Sequence, residues 1–195
     1  MLRNLFGWFL LGGASFALAA CCGNVSCPDQ DNYADALLFK FNLDSTSTQG
    51  FNTRDVDTVY LRRYTQPISS AVKVTVETVP LIRAHSKAAQ AIVLNNNAPF
   101  SSANSLKLNG YHYTLFVVRY PATSKPKIID TVRFALDSIK LKGSYQGDGC
   151  CTYYQNSYKS VQISELRQDG VLQNTKLYDV TKENGVDKPI TLNRF

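Results

Sequence analysis

The chain has 195 residues, of which 44% are hydrophobic and 11% aromatic, which is enough apolar material for the core of one globular domain or two small ones. Its 21 Lys and Arg against 15 Asp and Glu give a formal net charge of +6 at pH 7. The basic residues are spread thinly, in pairs such as Arg62-Arg63, and form no run, so the sequence does not support nucleic-acid binding.

The first 20 residues have the pattern of a cleavable export signal. Arg3 is followed by an uncharged apolar segment over residues 5–17, and small residues then lead to Cys21. A basic start, a short apolar segment and small residues at its end are the parts of a signal peptide. A retained membrane helix is the alternative, but the segment is shorter than the ~20 residues that a spanning helix needs, and it contains Gly12 and Gly13.

The end of this segment, Leu18-Ala19-Ala20-Cys21, resembles the lipobox of bacterial lipoproteins. The resemblance implies that residues 1–20 are removed and that Cys21 becomes the first residue, carrying a diacylglyceryl group and a further acyl chain such as palmitate. More than one acyl chain is needed for stable membrane anchoring. The alternative is a simple secretory signal that leaves Cys21 as a thiol.

The residues after the lipobox bear on location. Cys22 is not aspartate, and in the best-known sorting rule for lipoproteins this permits export to the outer membrane. Residues 57–64 are similar in style to envelope lipoproteins of the Bacteroidota, which implies no function. The acidic run of a surface-display tether in that phylum is absent after Cys21, which favours the periplasm-facing leaflet.

Four cysteines remain besides the lipobox cysteine, namely Cys22, Cys27, Cys150 and Cys151. An even number in an oxidising compartment favours two disulfides. Adjacent cysteines rarely bond to each other because the ring they close is strained. We therefore predict that Cys150 and Cys151 pair with Cys22 and Cys27, in an order that the sequence does not decide. The alternatives are a four-thiolate zinc site, which this spacing suits poorly, and mixed or free thiols.

Residues 21–35 are predicted to form a lipidated tether. The segment is polar, and Asp29, Asp31, Asn32 and Asp35 offer the oxygen ligands that calcium prefers. It lacks the glycine and the terminal glutamate of a calcium-binding loop. We interpret it as a solvated tether and expect neither a metal nor a cofactor.

Residues 36–195 are predicted to form an all-β domain. Apolar and polar residues alternate with a period of two, the signature of a strand with one buried face, at Phe39 to Leu43, Val59 to Leu61 and Val72 to Val76. Further strands are predicted at 92–94, 111–120, 128–136, 139–141, 153–154, 160–166, 171–178 and 190–192. These elements predict an antiparallel β-sandwich of eight to ten strands, immunoglobulin-like in type.

Local signals refine this prediction. Asp169-Gly170 indicates a hairpin because both residues tolerate positive φ. Around Asp137-Ser138 the alternation changes face, which predicts a bulge or a break between strands. Residues 86–94 lean helical through their alanines. One domain is expected, although a division near Pro121 to Pro126 would leave two small β modules.

The sequence offers little that suggests catalysis. There are only two histidines, His85 and His112, and no nucleophile elbow, zinc-binding helix motif or phosphate loop. We therefore expect no catalytic residues and no enzyme. A hydrolase with two dispersed carboxylates is the alternative, because such a pair leaves no motif.

Tyrosine is the main amphipathic residue of the predicted domain. Tyr111 and Tyr113 share one strand face, and Tyr153, Tyr154 and Tyr158 follow the paired cysteines. A tyrosine supplies a large contact area with a hydrogen-bonding tip, which suits both protein interfaces and sugar rings. We take these five as candidate binding residues, the alternative being that they only pack the sheet.

Together these features predict a non-catalytic lipoprotein, anchored by lipid in the outer membrane, that acts as a structural or accessory subunit. Its expected partners are the membrane itself and a protein of the outer membrane or envelope. The alternative is a glycan-binding module of a nutrient-uptake system, and a third hypothesis is the hydrolase. If Cys22 and Cys27 are bridged to Cys150 and Cys151, the tether becomes a short mount close to the membrane.

Overall fold

The computed structural model describes residues 34–44, 46–65, 74–100, 106–119, 130–182 and 188–194. In chain order the strands of these ranges are β1 (Leu37–Phe41), β2 (Thr58–Thr65), β3 (Val76–Ile82), β4 (Ile92–Leu94), β5 (Tyr111–Arg119), β6 (Asp130–Asp148), β7 (Cys151–Leu166), β8 (Leu172–Asp179) and β9 (Ile190–Leu192). Short 3-10 turns lie at Thr53–Val56, His85–Lys87 and Leu108–Gly110. Within these ranges no helix has the length and apolar character needed to cross a bilayer.

The strands form two sheets that pack face to face. The larger has six strands in the order β3-β2-β5-β6-β7-β8, all antiparallel to their neighbours. The smaller has three strands in the order β4-β1-β9, with β1 antiparallel to β4 and parallel to β9. The predicted all-β sandwich is therefore confirmed. The immunoglobulin-like type is not confirmed, because that fold divides its strands four and three in a different order.

The core lies between the two sheets, where alternate residues of each strand point inward. Phe39 of β1 and Leu94 of β4, in the small sheet, are fully buried with Leu61, Leu115 and Leu136 of the large sheet. These buried residues are the apolar members of the period-two pattern. The polar half lies on the outer faces of the sheets, which is why the pattern predicted the fold class.

Charged side chains are also buried among the described residues, and Arg63 is one of them. Arg63 of β2 is 6% exposed, and its guanidinium carbon lies 4.5 Å from the ring centroid of Phe100 and 4.8 Å from that of Tyr111. Its Nε and Nη2 donate to Oε2 of Glu77 at 2.9 and 2.7 Å. The carboxylate and the two rings together replace the water that a buried cation loses.

Several predicted elements are confirmed with changed boundaries. Strands predicted at 128–136 and 139–141 are one strand, β6, and those at 153–154 and 160–166 are one strand, β7. The register shift between Asp137 and Lys140, with φ of 50° at Ser138, confirms the predicted bulge. The hairpin at Asp169-Gly170 is confirmed, with φ of 83° at Gly170 and Arg167 N–H donating to the Val171 carbonyl at 3.0 Å.

Other predictions were wrong or lie outside the described residues. Of the strand predicted over Val72 to Val76, residues 72 and 73 lie outside the described residues, and residues 74 and 75 precede β3, which begins at Val76 and runs to Ile82. The helical tendency of residues 86–94 is overridden, because that segment continues from a 3-10 turn into β4 at the edge of the small sheet. The signal segment, the lipobox cysteine Cys21, and the tether up to residue 33 lie outside the described residues.

Candidate functional site: the tyrosine ribbon

β6 and β7 are the longest strands, with 19 and 16 residues, and they extend beyond the rest of the large sheet. The β5–β6 pairing ends at Tyr113 and Leu136, and the β7–β8 pairing begins at Ser160. Among the described strands, residues 142–148 and 151–158 therefore pair only with each other. We call this two-stranded extension the tyrosine ribbon.

The tip of the ribbon is a two-residue turn made by Gly149 and Cys150, between the paired residues Asp148 and Cys151. Gly149 has a φ of 58°, whereas Cys150 is not in the positive-φ region. This order suits a type II′ hairpin turn, which places glycine at its first central position. Cys150 is exposed and Cys151 is half-buried, so the adjacent cysteines occupy a turn and a strand end.

No disulfide is found between two residues that the structure describes. The predicted partners, Cys22 and Cys27, lie outside the described residues, so the pairing stays a prediction.

Tyr145 and Tyr154 face each other on one side of the ribbon. They are directly opposite in the register, and their rings meet edge to face with centroids 5.3 Å apart. A Cβ at Gly143 would lie 2.4 Å from the Gln155 carbonyl oxygen and 2.9 Å from the Tyr154 side chain, so the glycine leaves room for both. Lys107 Nζ lies 6.0 Å from the centroid of the Tyr154 ring. This side is the inner face, continuous with the core side of the sheet.

Tyr153 and Tyr158 lie on the other side, the outer face. Tyr153 is opposite Gln146 and Tyr158 is opposite Lys142, while Ser157 is the extra residue of a bulge. That bulge reverses the alternation, so two tyrosines five positions apart share a face. The sequence predicted one cluster of three tyrosines. The structure divides it between two faces and adds Tyr145, which is 69% exposed.

The base of the ribbon holds the segment that leads into the domain. Lys159 is 2% exposed, and its Nζ donates to the carbonyl oxygens of Ala36 at 2.6 Å and Ala34 at 3.3 Å. Asn156 Nδ2 donates to Asp35 Oδ1 at 3.0 Å and also to the Ala34 carbonyl. Residues 34–36 are thus hydrogen-bonded to the inner face of β7.

Asp35, the last residue of the predicted tether, is not solvated. It is 7% exposed, and its second carboxylate oxygen accepts a hydrogen bond from Asn96 Nδ2 at 3.1 Å. Two amide groups therefore satisfy this carboxylate. Among the described residues, no group of three or more His, Cys, Asp or Glu side chains is arranged to hold a metal ion.

Tyr111 and Tyr113 are core residues rather than surface residues. They are 4% and 2% exposed, and the Tyr113 hydroxyl donates to the Leu108 carbonyl at 3.1 Å. Burial raises the pKa of Tyr113 above that of a free phenol. Their position on the inner face explains why they share a strand face, and it leaves no surface on which they could bind a partner.

Both histidines contact carboxylates, which sequence reasoning missed. His112 contacts Asp137 and stacks on Tyr64 with ring centroids 5.3 Å apart. The residues of each pair are 25 to 28 positions apart in the chain, so no local motif could indicate them.

His85 lies between a carboxylate and a hydroxyl group, the arrangement that activates a hydroxyl nucleophile in some enzymes. His85 Nδ1 lies 3.2 Å from Asp57 Oδ1, and its Nε2 lies 2.9 Å from Thr53 Oγ1. Carboxylate, imidazole and hydroxyl in this order can activate a hydroxyl group. The side chains of His85 and Asp57 are 57% and 39% exposed, so water competes for both hydrogen bonds.

A cleft of about 350 Å³ opens between the edge strands β8 and β9. It is lined by Glu165, whose Oε2 accepts a hydrogen bond from Asn174 Nδ2 at 2.7 Å. Tyr178 and Lys176 also line it, with Lys176 Nζ 5.1 Å from the centroid of the Tyr178 ring. A carboxylate, amides and an aromatic ring are the groups that bind sugars in open clefts.

No protein-family model, curated protein or solved structure matches this chain. Its function is therefore inferred from its own residues.

Proposed function

We propose that the protein is a non-catalytic lipoprotein, anchored to the outer membrane through Cys21, that binds an envelope protein through the tyrosine ribbon. The proposed contact surface consists of the outer face of the ribbon, with Tyr153 and Tyr158, and of the exposed Tyr145. Lipidation, location and partner all rest on the lipobox resemblance, and the ribbon supplies the surface.

The attachment of residues 34–36 to the base of the ribbon carries this proposal. In a lipoprotein the chain from Cys21 to residue 34 would be at most 14 residues long, and bridges to Cys150 or Cys151 would shorten its reach further. Lys159 and Asn156 hold the far end of that segment on β7. A ribbon mounted beside its own anchor would meet a partner in or next to the membrane.

The composition of the ribbon supports an interface. Its side chains are mostly tyrosine, glutamine, serine and threonine, and the only charged residues in 142–148 and 151–158 are Lys142 and Asp148. The cores of protein interfaces are depleted in charge and enriched in tyrosine. A two-stranded ribbon also presents both of its faces, which a strand within a sheet does not.

Capture from native membranes tests the partner. The full chain with an affinity tag is extracted in detergent, and a stoichiometric membrane protein is expected to co-purify. The double variant Tyr153→Ala/Tyr158→Ala is expected to lose it. Tyr60→Ala is the matched control, because Tyr60 is a half-exposed tyrosine on β2, stacked on Phe116 with centroids 5.0 Å apart. A monomeric extract, or equal capture by both variants, would contradict the proposal.

Lipidation is tested separately. Metabolic labelling with an alkynyl palmitate analogue should mark the wild-type protein and not Cys21→Ser. Labelling of both proteins, or of neither, would exclude the lipobox interpretation.

The proposal that the protein is not an enzyme is tested at Thr53, where the side-chain arrangement most resembles an active site. We expect no covalent labelling by a fluorophosphonate probe, since the exposed His85 and Asp57 hold no water-free site. Labelling of Thr53 that His85→Gln abolishes would overturn this part.

Glycan binding is the second candidate, and the cleft between β8 and β9 favours it. A glycan array read with the full chain should then give signals that Glu165→Gln weakens and that Tyr153→Ala/Tyr158→Ala leaves unchanged. An array without signals would exclude this candidate.

A further inference from the structure

A separate cavity of about 240 Å³ lies on the outer face of the six-stranded sheet. Arg62 of β2 is opposite Thr114 of β5 in the register, and Phe116 of β5 is opposite Arg133 of β6. All four line the cavity, and Arg167 joins them from the hairpin that connects β7 to β8. Three separate elements thus bring three guanidinium groups to one cavity.

The positive charge of this cavity is largely unneutralised within the described residues. Arg62 Nε donates to Thr78 Oγ1 at 3.2 Å, a neutral partner. Arg133 makes no hydrogen bond or ion pair with a described residue.

Arg167 has one carboxylate neighbour. Its Nε lies 3.6 Å from Asp169 Oδ2, with side chains 57% and 53% exposed, and such an exposed pair contributes little. None of the residues that line the cavity is acidic. An anion entering it would therefore not displace an established salt bridge of Arg62 or Arg133.

We propose that this cavity binds a phosphate monoester. A phosphoryl group carries close to two negative charges at neutral pH and three acceptor oxygens, which suits several guanidinium groups at once. A carboxylate has one charge and two oxygens and would use fewer of these donors. Phe116 and Leu166 add apolar surface for the organic part of the ligand, and the Arg62 guanidinium lies 5.7 Å from the centroid of the Phe116 ring.

The site is independent of the tyrosine ribbon and of lipidation. The same phosphoryl group can come from a water-soluble phosphate ester or from the headgroup of an anionic lipid. Both sources are compatible with the cavity, and the experiment separates them.

The experiment uses the full chain in detergent micelles and isothermal titration calorimetry. One arm adds glycerol 3-phosphate, with glycerol as the uncharged control. The other arm adds micelles that contain phosphatidic acid, with phosphatidylcholine micelles as the control. Saturable binding in either arm is expected, and the arm that responds identifies the source.

The variants assign the binding to the cavity. Arg133→Gln and Arg62→Gln should each weaken binding by about tenfold or more, because a charge-assisted hydrogen bond is lost. Arg133→Lys should fall between, since lysine keeps the charge and loses the planar fork. Arg54→Gln, at an exposed arginine of the turn Thr53–Val56, should bind as the wild type does.

The outcomes decide the proposal. No saturable heat in either arm would overturn it. So would equal affinity of the wild type, Arg133→Gln and Arg62→Gln, with circular dichroism confirming that the variants are folded.

Discussion

The Lys159 ammonium group donates a hydrogen bond to the carbonyl oxygen of Ala36 at 2.6 Å, across 123 residues of sequence. The side chain is 2% exposed, so this cation is buried where the chain enters the domain. The contact ties the first described residues to the base of the tyrosine ribbon. It also explains an interruption of the apolar pattern of β7, since Lys159 occupies an inward position.

Removing this cation should loosen the entry segment. Lys159→Met removes the side-chain donor to the Ala36 carbonyl and one of the two donors to the Ala34 carbonyl, the other being Asn156. We expect a loss of about 1–3 kcal/mol in the free energy of unfolding. Urea denaturation of the variant measures it. Lys140→Met, at an exposed lysine of β6, is the matched control and should change stability by less than about 0.5 kcal/mol. Equal stability of the two variants would show that the contact contributes nothing.

Two glycines of the ribbon allow the backbone conformation of its turn to be tested, because an added Cβ would not clash at either position. A Cβ at Gly147 or at Gly149 would meet no atom within 4 Å, but only Gly149 has a positive φ, of 58°. Gly149→Ala should therefore destabilise the protein by about 1–2 kcal/mol through backbone strain, whereas Gly147→Ala should be nearly neutral. Thermal unfolding of both variants provides the comparison. A neutral Gly149→Ala would mean that the turn does not need the left-handed conformation.

Stability at alkaline pH should depend on Tyr113. Its pKa in the folded state is raised by burial, whereas in the unfolded chain it titrates near 10. Above about pH 10 the unfolded state therefore binds fewer protons than the folded state, and stability falls as the pH rises. Tyr113→Phe should reduce this loss of stability at alkaline pH. At neutral pH the same variant should be about 1 kcal/mol less stable, because the hydrogen bond to the Leu108 carbonyl is removed.

The matched control for this pH dependence is Tyr145→Phe, because Tyr145 is 69% exposed. Denaturant unfolding between pH 8 and pH 11 is measured for both variants and the wild type. Identical pH profiles of Tyr113→Phe and the wild type would contradict the assignment to Tyr113.

The cysteine pairing can be mapped directly. Peptides from the exported protein, digested without reduction, should show Cys150 and Cys151 linked to Cys22 and Cys27 by mass spectrometry. Each bridge should contribute about 2–5 kcal/mol, so reduction should lower the unfolding midpoint. Four cysteines open to alkylation would exclude both bridges, and a link between Cys150 and Cys151 would exclude this pairing.

The fold class was predictable because strand alternation is a local property. Val59 and Leu61 on β2, or Phe39 and Phe41 on β1, show by their spacing alone which face is buried. The hairpin at Asp169-Gly170 was equally local, since its conformation depends on residues that tolerate positive φ. The boundaries of β6 and β7 were less predictable, because the extended ribbon contains glycine, glutamine and serine rather than alternating apolar residues.

The candidate site needed the tertiary structure. Tyr111 and Tyr153 are the same residue type on predicted strands, yet Tyr111 packs in the core beside Arg63 and Tyr153 lies half-exposed on the ribbon. Which one is available to a partner depends on whether an opposing sheet covers its face. The bulge at Ser157 decides the face of Tyr158 in the same way, and no pattern in the sequence marks it.

By itself the sequence determined the all-β class, the hairpin at Asp169-Gly170 and the expectation of a lipid anchor, because these depend on residues close together in the chain. Only the tertiary structure decided that Asp35 meets Asn156 at the base of a ribbon and that Arg62, Arg133 and Arg167 surround one cavity. Such contacts join residues tens to more than a hundred positions apart. They follow from strand order and register, which the whole packed chain sets and no short segment contains.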